Sequence, residues 1–128
     1  MIWASQVAVG NENALKLRIF GDKGGIEWDQ ENPNVMSFTR FGEPKILLTR
    51  AGAGLGKTAD RWTRIPPGHP EGYLEGFANI YSDAADVILG KPILADLPEI
   101  EAALDGMWFI HACQKSSEQN GRWVQRRC

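Results

Sequence analysis

Apolar positions along this chain change period halfway, from two residues to between three and four. Ile2 to Val9 is apolar on both sides, with Trp3, Val7 and Val9 facing one way and Ile2, Ala4 and Ala8 the other. That pattern predicts a strand covered on both faces. Gly10-Asn11-Glu12-Asn13 supplies a turn, after which Leu15, Leu17 and Ile19 alternate with Lys16 and Arg18, as in a half-buried strand. Asp22-Lys23-Gly24-Gly25 turns again and Ile26-Glu27-Trp28 begins the return. Val35 to Phe41 follows, with Met36 and Phe38 on one face, and Gly42-Glu43-Pro44 leads into Lys45 to Thr49. Strands joined by such short polar turns make an antiparallel meander, here of five strands.

Residues 51 to 69 carry Gly52, Gly54, Gly56, Pro66, Pro67 and Gly68 and predict a long loop, the kind of segment that often carries function. Helical spacing then takes over. Pro70 suits a helix start, with Glu71 and Glu75 in the first turns, where acids favour the dipole. Leu74, Phe77, Ala78, Tyr81, Ala84, Ala85 and Ile88 form the apolar stripe, and Glu71, Glu75, Ser82, Asp83 and Asp86 the polar face. Gly90 stops this helix and Pro92 prevents its continuation. Asp96 and Glu99 have capping-box spacing for a second helix running through Ile100, Leu104, Met107 and Ile110 to about Glu118. Gly121-Arg122-Trp123-Val124 reads as a short extended end. The expected fold is α+β: an antiparallel meander followed by two helices packed on one of its faces, with residues 1–128 forming a single domain.

The charge narrows the function. Fourteen basic and sixteen acidic side chains leave a net charge of −2, whereas nucleic-acid binders show a basic excess. The apolar runs are too short for a membrane span or a signal-peptide core, so the expectation is a cytoplasmic protein with neither nucleic acid nor membrane as partner. Two cysteines, Cys113 and Cys128, make no disulfide framework. Neither His69 nor His111 has a second ligand at metal spacing, so no metal site is expected.

Ala51-Gly52-Ala53-Gly54-Leu55-Gly56-Lys57-Thr58 fits a relaxed phosphate-loop pattern. That motif works by opening a helix off a parallel strand, so that backbone N–H groups face the phosphate. Here Pro66-Pro67 ends any helix within two turns, and the strands before it are hairpins, so a surface loop is the better account. His111 lies near Met107 and Leu104 and reads as a structural histidine. Glu99 and Glu101, like Asp83 and Asp86, read as solvated helix faces. His69 stands between Gly68 and Pro70 at the loop-to-helix junction, with Glu71 and Tyr73 after it, where it either meets a hydroxyl-bearing or anionic ligand or caps the helix. Trp62 and Arg64, in the loop before it, could stack on a sugar ring or grip a carboxylate, or could be ordinary surface residues.

Two long runs resemble a known family. Asn11 to Trp28 resembles the closing hairpin of the Gfo/Idh/MocA oxidoreductases, and Pro66-Pro67-Gly68-His69-Pro70-Glu71-Gly72-Tyr73 to Tyr81 resembles their last substrate-side loop and helix. Gly106 to Ile110 and Gly121 to Val124 are similar to the final helix and tail. The resemblance implies a parent enzyme with an N-terminal Rossmann domain holding NAD or NADP and a C-terminal α+β domain for substrate binding and subunit contact. This chain would be the last part of that second domain. His69, Glu71, Tyr73, Trp62 and Arg64 are then the candidate substrate-binding residues, the substrate is a small molecule, and the sheet would pair subunits in a homo-oligomer. The chain departs from the family in having no Gly-x-Gly-x-x-Gly after a leading strand, no Glu-Lys-Pro and no Asp four residues before either histidine. Gly90-Lys91-Pro92 shares two letters with Glu-Lys-Pro but closes a helix, so that lysine's role is not carried to Lys91. No catalytic or cofactor-binding residue is therefore expected here, and the chain alone should be inactive. The alternative is a free-standing, non-catalytic α+β dimerisation or ligand-binding module.

Overall fold

A computed structural model describes residues 1–93 and 97–126. Its contacts divide the chain into two compact units, Met1–Ser82 and Asp83–Cys128.

The first unit holds a four-stranded antiparallel sheet in the order β1-β2-β3-β4. The strands are β1 (Lys16–Phe20), β2 (Gly24–Asp29), β3 (Val35–Arg40) and β4 (Ile46–Thr49). Register sorts the side chains cleanly. The rows Leu17–Trp28–Met36–Leu48 and Ile19–Ile26–Phe38–Ile46 lie on one face, and Arg18–Glu27–Ser37–Leu47 on the other. Lys16 and Asp29, and Lys45 and Glu27, form ion pairs of 3.1 and 3.0 Å.

Two expectations fail at the strand level. Ile2 to Val9 is irregular, not a fifth strand: no described strand pairs with it, and Ile2, Trp3, Val7 and Val9 are all exposed. A segment apolar on both sides forms a strand only where a neighbouring edge and two covering layers meet it. The return strand also begins earlier than expected, at Gly24 instead of Ile26. Glycine is needed there because a Cβ on Gly24 would lie 2.4 Å from the Thr39 carbonyl oxygen.

Beyond β4, the segment expected to be a continuous loop contains a short helix, α1 (Lys57–Arg61), closed by Trp62 N–H on the Ala59 carbonyl. Helix α2 (Tyr73–Ile88) starts three residues after Pro70. Gly76 N–H bonds the Gly72 carbonyl, and Glu75 Oε2 accepts the Gly72 N–H at 2.9 Å. Gly72 is thus the cap position, and Glu75 makes the reciprocal half of a capping box. Glu71, expected on the polar face of the helix, lies outside it and is buried. Asp83, expected on a solvated face, is buried as well.

In the second unit, Gly90 ends α2 at φ +67°, with Lys91 N–H on the Asp86 carbonyl and Gly90 N–H on that of Val87. This is the Schellman arrangement expected of a glycine stop. Helix α3 (Ile100–Glu118) follows, with Glu99 as its N-cap residue and no side-chain bond there. The expected cap Asp96 lies outside the described residues, as does Cys128. Cys113 is a free, exposed thiol. Arg126 pairs with Asp105 and stands over the Trp108 ring, and residues 121–124 form no strand.

Burial is sparse. Among the described residues only Ala112, Glu71 and Asp83 count as buried, and no large side chain is fully enclosed. Leu17, Ile19 and Ile46, all on the apolar face of the sheet, are about half exposed or more, at 48%, 60% and 49%.

Candidate functional site

The end of β4 and the start of β3 meet at one arginine. Arg50 Nε donates to Asn34 Oδ1 at 2.8 Å, and Nη1 donates to the Ile65 carbonyl at 2.9 Å while pairing with Glu71 Oε2 at 2.6 Å. Nη2 donates to the carbonyls of Pro66 and His69 at 3.1 and 2.7 Å. The other Glu71 oxygen accepts the Arg64 N–H at 2.9 Å. Asn34 Oδ1 also accepts the Glu71 N–H at 3.3 Å. These bonds fold residues 64–71 back onto the sheet.

Beside this cluster runs an open groove of about 570 Å³, within the first unit. Trp28, Trp62, Tyr73 and Phe77 give it aromatic walls, and Arg50, Glu71 and Asn79 give it polar ones. Tyr73 meets Phe77 edge to face, 5.2 Å between centroids. Trp28 Nε1 donates to the Pro33 carbonyl, and the Arg61 guanidinium lies 4.4 Å over the Trp62 ring. Asn79 Oδ1 is buried without a hydrogen-bond partner in the described structure, an acceptor turned toward no donor.

Of the residues expected to bind substrate, Trp62, Glu71 and Tyr73 line this groove, whereas His69 and Arg64 do not. Glu71 is engaged by Arg50 and by backbone, so its carboxylate acts within the protein. The Arg64 side chain donates to the Glu75 carbonyl. His69 does not cap the helix, which begins at Tyr73 and uses Glu75 instead. It sits in an exposed turn with Nδ1 3.3 Å from the Pro66 carbonyl oxygen. A carbonyl only accepts, so in that contact Nδ1 is the donor, and Nε2 is not engaged by it. Sequence reading missed Arg50, Asn34, Trp28 and Asn79. No periodicity joins Arg50 to Glu71, which meet only in space.

Lys57 of the phosphate-loop-like run opens α1, a helix of five residues that follows a strand of an antiparallel sheet. That geometry fits neither a phosphate loop nor a dinucleotide cradle, both of which rest on a parallel βαβ unit. Among the described residues no group of three or more His, Cys, Asp or Glu could hold a metal ion. No described helix is long and apolar enough to cross a membrane.

Residues 1–125 match a family described as "Oxidoreductase family, C-terminal alpha/beta domain", that of the Gfo/Idh/MocA proteins. This chain belongs to it. An uncharacterized oxidoreductase, YfiI of Bacillus subtilis, is 33% identical over 97% of this chain and 33% of its own length. Among solved structures, an oxidoreductase from Sinorhizobium meliloti is 56% identical, with a TM-score of 0.89 over 94% of this chain and 35% of its own. An inositol dehydrogenase homolog from Azotobacter vinelandii, solved with NADH and myo-inositol, is 29% identical, with a TM-score of 0.81 over 97% of this chain and 35% of its own. The chain thus spans about a third of the length of these Gfo/Idh/MocA relatives.

Proposed function

We propose that this chain is the substrate-side and subunit-contact part of an NAD(P)-dependent sugar or polyol oxidoreductase, inactive by itself. The observation that carries this reading is the loop clamped by Arg50, which presents His69 in the open and Trp62 and Tyr73 beside an aromatic groove. Aromatic walls suit the C–H faces of a ring polyol, and an exposed imidazole suits its hydroxyls. The bound myo-inositol and NADH of the Azotobacter vinelandii relative support the substrate class and the cofactor. Hydride transfer needs cofactor and proton acceptor held together on the substrate. In this family an N-terminal Rossmann domain supplies the cofactor, and this chain's residues contribute binding and orientation. The part-exposed apolar face of the sheet supports a role in subunit pairing.

The test is a chimera. Residues 1–125 replace the matching segment of the Sinorhizobium meliloti oxidoreductase, and NAD and NADP turnover is measured on a panel of polyols and aldoses. Activity on substrates of the recipient enzyme is expected. In the active chimera, His69→Ala should raise KM about tenfold with kcat little changed, the loss of one hydrogen bond to substrate. A folded chimera that binds dinucleotide but turns over none of these substrates overturns the reading. So does dehydrogenase activity of residues 1–128 alone.

A further inference from the structure

Arg50 is one residue past the sheet, yet its guanidinium faces five acceptors: Asn34 Oδ1, the carbonyls of Ile65, Pro66 and His69, and Glu71 Oε2. A guanidinium has five N–H donors in a rigid plane; four of them are hydrogen-bonded here, and Nη1 also stands in the ion pair with Glu71, so the side chain is committed within the protein. It is also largely buried, with its side chain 16% exposed and that of Glu71 only 4%. Three of the five acceptors are backbone carbonyls within residues 65–69. These are the groups whose positions set where the His69 ring projects. Asn34 ties the same cluster to the start of β3, since it also accepts the Glu71 N–H and its carbonyl accepts the Arg50 N–H at 2.8 Å.

We propose that Arg50 is the positioning residue of the 62–73 loop, acting on substrate binding through His69. Asn34 anchors the guanidinium and Glu71 balances its charge. The proposal rests on the reading of this loop as the substrate side. A lysine could not replace Arg50, because an ammonium offers three donors in no common plane and cannot meet five acceptors spread around a fork.

Two measurements on the intact oxidoreductase carrying this segment decide it. The first is limited trypsin digestion, comparing cleavage after Arg64 in the loop with cleavage after Arg18 in β1. Arg50→Met should speed loop cleavage about tenfold relative to Arg18, and Arg50→Lys, the variant kept in case the first does not fold, by an intermediate factor. Loop cleavage that is unchanged, or that rises only in step with Arg18, overturns the proposal. The second is a double-mutant cycle. Arg50→Lys should raise KM about fivefold or more with kcat within about twofold, and this effect should vanish in a His69→Ala background. Fully additive effects on KM overturn action through His69. If His69→Ala alone leaves KM unchanged, the substrate-side reading fails, and selective loop release by trypsin then decides whether Arg50 is the clamp.

Discussion

At Gly24 the absence of a side chain lets two strands approach, because a Cβ would meet the Thr39 carbonyl oxygen at 2.4 Å. Gly24→Ala should therefore cost about 1–3 kcal/mol in urea denaturation, as the strands separate to admit the methyl group. Glu75 shows a second kind of residue effect. Its carboxyl is held below its ordinary value of 4.5 chiefly by the Gly72 N–H it accepts. A lowered folded value means the carboxylate's contribution is full above about pH 4.5 and fades as acid protonates it through the lower value. Asp29 is lowered in the same sense by the Glu31 N–H and by Lys16, so both groups shape one acid limb. Glu75→Gln should flatten part of the loss in melting temperature below pH 4.5 while leaving the Asp29 part, measured by circular dichroism across pH. The buried Arg50–Glu71 pair, by contrast, had no signature in the linear sequence. Placing the helix start at Pro70 put Glu71 on a solvated face; the chain instead turns there and aims its carboxylate at an arginine from the end of the sheet.

Elements were legible wherever local chemistry alone decides them. Alternation in β1 and β3, the turns between strands and the Gly90 stop all depend on groups a few residues apart, and all are found where read, save that Gly24 and Gly25 belong to β2 and not to the turn before it. Gly90→Ala should cost about 1 kcal/mol and raise fraying at the end of α2, visible as lost amide protection at Leu89 and Lys91, because an L residue at φ +67° is strained. The reading failed where an element needs a partner. Ile2 to Val9 has the composition of a strand, but it pairs with no described strand and its backbone is irregular. The start of α2 was misplaced for a related reason. Pro70 is compatible with a first helical turn, but the bond from Gly72 N–H to Glu75 outcompetes it and begins the helix at Tyr73.

Over the whole chain the outstanding feature is apolar surface without cover. Both apolar rows of the sheet, the N-terminal segment and stripe residues of α2 such as Leu74 and Tyr81 remain largely or partly exposed. Patches of this kind mark surfaces meant for contact. Purified residues 1–128 should bind a hydrophobic dye and self-associate, with apparent mass rising with concentration in light scattering. A dye-silent monomer at high concentration would count against that expectation. In the chimera described above the dye signal should fall, as neighbouring chain covers part of this surface. What the linear order of residues determined by itself is the succession of strands then helices, the apolar face of the sheet, and the family, since these follow from spacing and short motifs. Tertiary structure alone decided that Arg50 gathers Asn34, Glu71 and the carbonyls of residues 65–69, and that the first eight apolar-rich residues form no strand. The physical reason is that buried ion pairs and strand pairing are interactions between segments distant in sequence, and only the folded path brings their partners within bonding distance.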